Sequence, residues 1–110
     1  MAYDRGTVVL ASEPYTDEHK ARPFLLVSTE DYDPNGYLGV PLTRADKTHT
    51  LELTDYDKEE VYETFEKDDN YVNPCSPCQV NDPQRPLCLV SESFTDMVAE
   101  LTAKAIGVDT

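Results

Sequence analysis

Short apolar runs, separated by polar segments that contain proline or glycine, dominate the first half of the chain. Runs of this length that are rich in β-branched residues and bounded by turn residues are typical of β-strands. The predicted strands are Thr7–Ala11, Arg22–Ser28, Tyr37–Leu42 and the alternating segment His49–Leu53. Because Asn35-Gly36 is a strong turn dipeptide, we expect the second and third strands to form a hairpin, with Pro41 at its exposed end.

The second half of the chain gives shorter strand signals that are interrupted by prolines. These candidates are Tyr71–Val72, Cys78–Val80 and Leu87–Val90. An acidic stretch, 55–69, precedes them, and its apolar positions Val61, Tyr62 and Phe65 fit either a short helix or an acidic insert between strands. The pattern leaves both alternatives open.

The last element predicted is an amphipathic helix near the C-terminus. Its apolar positions are Phe94, Val98, Leu101 and Ala105. We expect Thr95 to cap its N-terminus, Asp96 to suit the positive end of the helix dipole and Gly107 to end it. Short strands followed by one helix, without βαβ alternation, predict a mainly β fold in one domain over residues 1–110, a small antiparallel barrel or curled sheet capped by the C-terminal helix.

The chain is strongly acidic, which bears on its binding partners and on the salt concentration in which it folds. In 110 residues, 22 Asp and Glu stand against 9 Lys and Arg, for a formal net charge of −13. Ordinary nucleic-acid-binding domains are basic instead. Self-repulsion of an acidic coat is screened at about 1 M salt, where the Debye length is about 3 Å, so we expect a protein from a salt-adapted cell. A nucleic-acid mimic, or an acidic surface for a basic partner, is the alternative.

Cysteine usage and hydropathy indicate a cytoplasmic protein. The chain has three cysteines, an odd number that cannot form a complete disulfide framework, and no apolar run long enough to span a membrane. Cys75 and Cys78 have the spacing of a zinc or redox pair, but a zinc site would also need Cys88 and a fourth ligand such as His19 or His49. The alternative is that the thiols are reduced and act as small apolar groups.

One pair of residues suggests phosphate chemistry. Arg22 begins the second strand and Thr43 follows the third, so the expected hairpin brings their ends together. A guanidinium binds phosphate oxygens bidentately, and a hydroxyl donates to a non-bridging oxygen. The alternative is a surface Arg22 paired with Asp17 or Glu18 and a threonine that only ends a strand.

The order of these motifs resembles the PemK/MazF family of toxin endoribonucleases. The matching residues are Arg5-Gly6, Val8-Val9, Arg22-Pro23, Leu25 to Ser28 and Val40-Pro41-Leu42-Thr43, followed by the helix. The resemblance implies an SH3-like barrel that forms a homodimer, is held in check by an antitoxin protein, and cleaves single-stranded RNA without a metal or other cofactor. The implied products are a 2′,3′-cyclic phosphate and a free 5′-hydroxyl.

The resemblance assigns catalytic roles to Arg22 and Thr43. Because arginine is a poor general base, Asp17 or His19 is the candidate to accept the 2′-proton. The residues expected to bind substrate are Lys20, Arg44, Lys47 and Tyr15. Tyr32 and Tyr37 are further candidates for stacking on bases, with ordinary barrel packing as the alternative for all three tyrosines.

One departure from the family pattern favours a second interpretation. Several members of the family carry an Arg-x-Asp-Gln stretch in a later strand, and the corresponding segment here, 73–77, contains neither an arginine nor an aspartate. The alternative function is therefore a catalytically inactive PemK/MazF-like module that binds RNA or a protein partner.

Overall fold

The structure is a computed structural model that describes residues 3–12, 21–28, 36–43, 50–54, 57–62, 71–80, 83–105 and 107. Within these residues the chain forms eight strands and one helix. The strands are β1 (Thr7–Ser12), β2 (Ala21–Leu26), β3 (Tyr37–Thr43), β4 (Leu51–Glu52), β5 (Lys58–Val61), β6 (Tyr71–Val72), β7 (Cys78–Val80) and β8 (Arg85–Val90), and the helix is α1 (Glu92–Ala105). The predicted mainly β class is confirmed.

All strands belong to one antiparallel sheet with the order β4-β6-β3-β2-β1-β8-β5, and β7 also pairs with β3. β2 and β3 pair antiparallel as expected, with Leu25 opposite Val40. The turn predicted at Asn35-Gly36 lies partly outside the described residues. β1, β2 and β3 therefore form the centre of the sheet, and the outer ends of β2 and β3 lie at one end of it.

Apolar side chains cover both faces of the sheet. The first cluster includes Val8, Leu25 and Val40 and packs against Phe94 and Val98 of α1. The second cluster, on the opposite face, is formed by Val9, Ala11, Phe24, Leu26, Tyr37 and Val80. Alternation along the strands produces the two clusters, because successive side chains of a strand point to opposite faces.

The helix is confirmed, but its N-terminus lies earlier than predicted. It begins at Glu92, and the hydroxyl of Ser91 accepts a hydrogen bond from the backbone N–H of Phe94 at 3.3 Å. Ser91 therefore caps the helix instead of Thr95, whose buried hydroxyl donates to the Ser91 carbonyl at 2.9 Å. Gly107 lies beyond the last helical residue at φ 89°, as expected of a C-terminal stop.

The prediction for Pro41 needs correction. Pro41 is buried within the sheet opposite Phe24 and is not at an exposed end. The backbone N–H of Val27 donates to the Leu38 carbonyl, so the backbone of Leu38 faces the strand that contains Val27. Residues along β3 alternate between facing this neighbour and facing away from it, and the nitrogen of Pro41 therefore faces away from β2. There the pairing of β3 passes from β6 to β7 across residues 73–77, and such an irregularity tolerates a missing N–H.

The acidic stretch contains a strand where it is described. Lys58–Val61 forms β5, which pairs with β8 at the edge of the sheet, and Val61 and Tyr62 are exposed. The short helix is therefore wrong for residues 58–62, and Phe65 lies outside the described residues. Acidic side chains suit an exposed edge because they discourage pairing with another chain. No helix in the described part of the chain has the length and apolar character needed to cross a membrane.

Candidate active site

Arg22 and Thr43 lie at the same end of neighbouring strands. Phe24 is opposite Pro41 in the pairing of β2 with β3, and continuing this register by two residues sets Arg22 opposite Thr43. Directly opposed residues of antiparallel strands point to the same face of the sheet, with Cβ atoms about 5 Å apart. The register of the sheet is therefore compatible with neighbouring positions for these two residues, and their role at a phosphate stays a prediction.

Proline and buried apolar residues hold this end of the sheet in place. Arg22 is exposed and pairs with Ala11 of β1, and it precedes Pro23, which restricts Arg22 to an extended backbone. Phe24, two residues further along the same face, is completely buried. Arg22 therefore occupies an exposed position on a backbone that is fixed by packing.

Pairing continues from Thr43 across two more strands. Thr43 is opposite Tyr71 of β6, and Tyr71 is in turn opposite Glu52 of β4. Arg22, Thr43, Tyr71 and Glu52, here called the polar row, therefore lie along one line on one face of the sheet. Sequence reasoning missed the last two because nothing local in the sequence indicates which short strands pair.

An irregular turn interrupts the strand next to the polar row. Between β6 and β7, the Asn73 side-chain carbonyl accepts a hydrogen bond from the Cys75 N–H at 3.1 Å. The Asn73 N–H donates to the Pro41 carbonyl at 3.0 Å, which ties the turn to β3. This segment corresponds in the sequence to the Arg-x-Asp-Gln stretch of several family members, and it presents Cys75 and Ser76 to solvent instead.

The cysteines lie in three different environments. Cys75 is exposed, Cys78 packs against the second cluster, and Cys88 is completely buried in the first cluster. Burial raises the pKa of both Cys78 and Cys88 to about 11, and Lys58 only partly opposes the shift at Cys88. Since Cys78 and Cys88 lie on opposite faces of the sheet, Cys88 is not placed to join a zinc site with the other two.

Two tyrosines outside the polar row have structural contacts. Tyr37 is buried, its hydroxyl accepts a hydrogen bond from the Tyr3 N–H at 2.8 Å, and the two rings meet edge to face at 6.4 Å. Packing, the alternative considered for Tyr37, is therefore its role. Tyr62, near the opposite edge of the sheet, donates to Glu60 at 3.1 Å, and this hydrogen bond raises the pKa of Tyr62.

Several residues expected at the site lie outside the described residues. They are the candidate proton acceptors Asp17 and His19, the expected substrate-binding residues Tyr15, Lys20, Arg44 and Lys47, and also Tyr32 and His49. Most of them are adjacent to the candidate site in sequence, since residues 13–20 immediately precede β2 and residues 44–49 immediately follow β3. Their roles stay predictions.

Comparison with known proteins identifies the fold. No family model and no curated protein matches the chain. Among solved structures, an endoribonuclease in complex with its cognate antitoxin from a mycobacterial species is similar at 20% identity and TM-score 0.71, over 96% of each chain. A chain of the MazE–MazF complex from Deinococcus radiodurans gives 14% identity and TM-score 0.74, over 97% of this chain and 98% of that one.

A third solved structure, the Mycobacterium tuberculosis toxin MazF-mt6, matches at 16% identity and TM-score 0.68, over 94% of this chain and 99% of its own. At identities this low the likeness establishes the fold. The chain has the fold of MazF-type endoribonuclease toxins over nearly its whole length, which confirms at the level of fold the resemblance noted in the sequence.

Proposed function

We propose that this protein is a metal-independent endoribonuclease that cleaves single-stranded RNA and acts as the toxin of a toxin–antitoxin pair. The observation that carries the proposal is the antiparallel pairing of β2 with β3, whose register, continued by two residues from Phe24 and Pro41, sets Arg22 opposite Thr43. The fold supports it, since one similar solved structure is an endoribonuclease in complex with its cognate antitoxin and another is a toxin.

The proposed reaction uses the ribose itself as the nucleophile. The 2′-oxygen bonds to the adjacent phosphorus, the bond from phosphorus to the 5′-oxygen breaks, and a 2′,3′-cyclic phosphate and a 5′-hydroxyl result. Arg22 stabilises the negative charge that develops on the phosphorane, and Thr43 donates a hydrogen bond to a non-bridging oxygen. A guanidinium carried on a fixed backbone supplies positive charge at the phosphate without a metal ion.

Proton transfer needs a second group. The 2′-hydroxyl must lose its proton and the departing 5′-oxygen must gain one, and an arginine side chain is both a poor base and a poor acid at neutral pH. Asp17 and His19, which precede β2 in the sequence, are the residues that we propose for these two transfers. Lys20, Arg44, Lys47 and Tyr15 complete the proposed RNA-binding surface.

The proposed setting is the cytoplasm of a salt-adapted cell. A net charge of −13 repels RNA in dilute buffer, and molar salt screens that repulsion. Attraction between basic groups and phosphates weakens equally, so hydrogen bonding and base stacking must supply the affinity. We propose that the protein forms a homodimer and that an antitoxin covers the RNA-binding surface.

The experiment is a cleavage assay on a labelled single-stranded RNA in 1 M KCl with EDTA. Arg22→Ala and Thr43→Ala are expected to lose about 100-fold or more in rate, since removal of one transition-state donor has effects of about 100- to 1000-fold. Arg85→Ala is the matched control, because Arg85 is also exposed but is paired with Leu10, whose side chain packs on the other face.

The alternative function is a catalytically inactive module that binds RNA or a protein. The absence of arginine and aspartate from segment 73–77 favours it. RNA that stays intact with a protein whose folding is verified in the same buffer would support this alternative and contradict the proposed enzyme. Cleavage that is lost on addition of EDTA would contradict metal independence.

A further inference from the structure

The polar row extends well beyond the proposed phosphate site. β6 lies between β3 and β4, and its residue Tyr71 pairs with Thr43 on one side and Glu52 on the other. Neighbouring strands are about 4.8 Å apart, so Glu52 lies about 10 Å from Thr43 and about 14 Å from Arg22 between Cα atoms. One phosphate group cannot fill a site of that length, so in the proposed complex the far end would be free to contact another part of the RNA.

Packing on the opposite face fixes the direction of these side chains. Leu42, Val72 and Leu51 are the row's neighbours in sequence, and all three belong to or pack against the first cluster. Since side chains alternate between faces along a strand, Thr43, Tyr71 and Glu52 must point to the other face. Tyr71 is half-buried and Glu52 is exposed there, and neither makes a side-chain hydrogen bond or ion pair with another described residue.

The chemistry of the two side chains indicates a nucleobase. An aromatic ring beside a phosphate site can stack on the base attached to the neighbouring ribose. A carboxylate repels phosphates and has no proton to donate at neutral pH, but it accepts hydrogen bonds from the amino groups of cytosine and adenine. Where cytosine carries its amino group, uracil carries a carbonyl oxygen, and a carboxylate repels that oxygen.

We infer that Tyr71 and Glu52 form a nucleobase site next to the Arg22–Thr43 phosphate site, where Tyr71 stacks on one base and Glu52 selects cytosine or adenine over uracil. The inference rests on the proposed function for its ligand, single-stranded RNA. It adds two specificity-determining residues to that function. It also explains why an acidic residue stands at the end of a row that is proposed to bind RNA.

The test is equilibrium binding of fluorescein-labelled 2′-O-methyl oligonucleotides, eight nucleotides of cytidine, adenosine or uridine, by the full chain in 1 M KCl. A 2′-O-methyl group prevents attack by the 2′-oxygen, so binding is measured whether or not the protein is an enzyme. The parent is expected to bind the cytidine or adenosine oligomer about 10-fold more tightly than the uridine oligomer. Tyr71→Ala is expected to weaken binding of all three oligomers about 10-fold or more, and Tyr71→Phe to retain it.

Glu52→Gln is the decisive variant, because its exposed side chain can be changed without disturbing the core. The glutamine amide can also donate to the uracil carbonyl, so discrimination between cytidine and uridine should fall to about 2-fold or less. Tyr62→Ala and Glu59→Gln, in the exposed β5 region, are matched controls that should bind like the parent. Equal affinities of the parent for the three oligomers, or variants at 71 and 52 that both behave like the parent, would overturn the inference.

The two proposals fail in different ways. RNA cleavage by the parent together with unchanged base preference in Glu52→Gln overturns the nucleobase site and leaves the enzyme standing. Selective binding of 2′-O-methyl oligonucleotides by a protein that cleaves no RNA overturns the enzyme and supports the nucleobase site. A folded parent that neither binds nor cleaves RNA overturns both.

Discussion

The guanidinium of Arg5 joins the start of the chain to the C-terminal helix through Asp96. Its Nη1 lies 2.7 Å from the Asp96 Oδ1, while its Nε donates to the backbone carbonyl of Val27 at 3.0 Å. Arg5 therefore connects three segments that are distant in sequence: the residues before β1, the residue after β2 and the first turns of α1. Its role is to position the helix on the sheet, although it belongs to the motifs that carry the family resemblance.

Substitutions at this contact should affect stability and leave the proposed RNA-binding surface intact. Asp96→Asn should lower the free energy of unfolding by about 0.5 kcal/mol, because the ion pair is partly exposed. Arg5→Ala should lower it by about 1–2 kcal/mol, because the Val27 carbonyl also loses its charged donor. Urea unfolding at low and molar KCl measures both. Equal effects of the two substitutions would contradict the second contact.

Gly6 occupies a position that other residues cannot adopt without strain. Its φ is 95°, and an added Cβ would lie 3.1 Å from both the Val90 carbonyl oxygen and the Thr95 Oγ1. Gly6→Ala should therefore lower the free energy of unfolding by about 1–3 kcal/mol. Gly107→Ala is a useful control, since Gly107 has φ 89° but no described atom within 4 Å of the added Cβ. A larger loss at Gly107 than at Gly6 would show that the close contacts do not matter.

The excess of carboxylates should make the free energy of unfolding depend on the salt concentration. The Debye length falls from about 10 Å at 0.1 M to about 3 Å at 1 M salt, so repulsion among the carboxylates is screened. The urea midpoint should rise between 0.1 M and 1 M KCl. Because Glu59 and Glu60 are exposed on β5, a variant with glutamine at both positions should gain less from salt. An unchanged midpoint in the parent would contradict a salt-adapted surface.

The buried thiols should weaken the fold at alkaline pH. Burial raises the pKa of Cys78 and Cys88 from the ordinary 9.0 to about 11, so the folded chain holds these protons to a higher pH than the unfolded chain. The resulting stability is fully present below about pH 9 and is lost as the pH rises toward 11. Cys88→Ala should lose less stability than the parent between pH 8.5 and about 10.5, measured by urea unfolding. An identical loss would contradict the shift at Cys88.

The strands that sequence predicted best are those whose apolar runs pack on the core. The runs around Val8, Leu25 and Val40 are long enough for burial to determine their conformation, and all three form strands. The sequence does not distinguish a strand from a helix at β5, because an exposed edge strand needs few apolar residues. The charged residues of this segment indicate that it is exposed, but they do not indicate that it pairs with another strand. Ser91 and Thr95 are both good caps, and tertiary packing of the Thr95 side chain decides between them.

The sequence predicted two of the four residues of the polar row, and the reason is physical. Arg22 and Thr43 flank a single expected hairpin, so the turn signal in the sequence was enough to predict that they lie at neighbouring strand ends. Tyr71 and Glu52 meet this pair only because β6 lies between β3 and β4, a long-range register that local sequence does not encode. The alternation Leu51-Glu52-Leu53 did contain one usable signal, since it directs Glu52 away from the core.

The measurement that tests the central claim most directly is the cleavage of one RNA in two versions, in 1 M KCl with EDTA. The versions differ only in the ribose on the 5′ side of the mapped cleavage position, which carries a 2′-hydroxyl in one and a 2′-hydrogen in the other. The account predicts cleavage of the first alone, with a 2′,3′-cyclic phosphate and a 5′-hydroxyl, at a rate that Arg22→Ala lowers about 100-fold or more. Cleavage of both versions at the same position, or an Arg22→Ala rate equal to that of the parent, would contradict it.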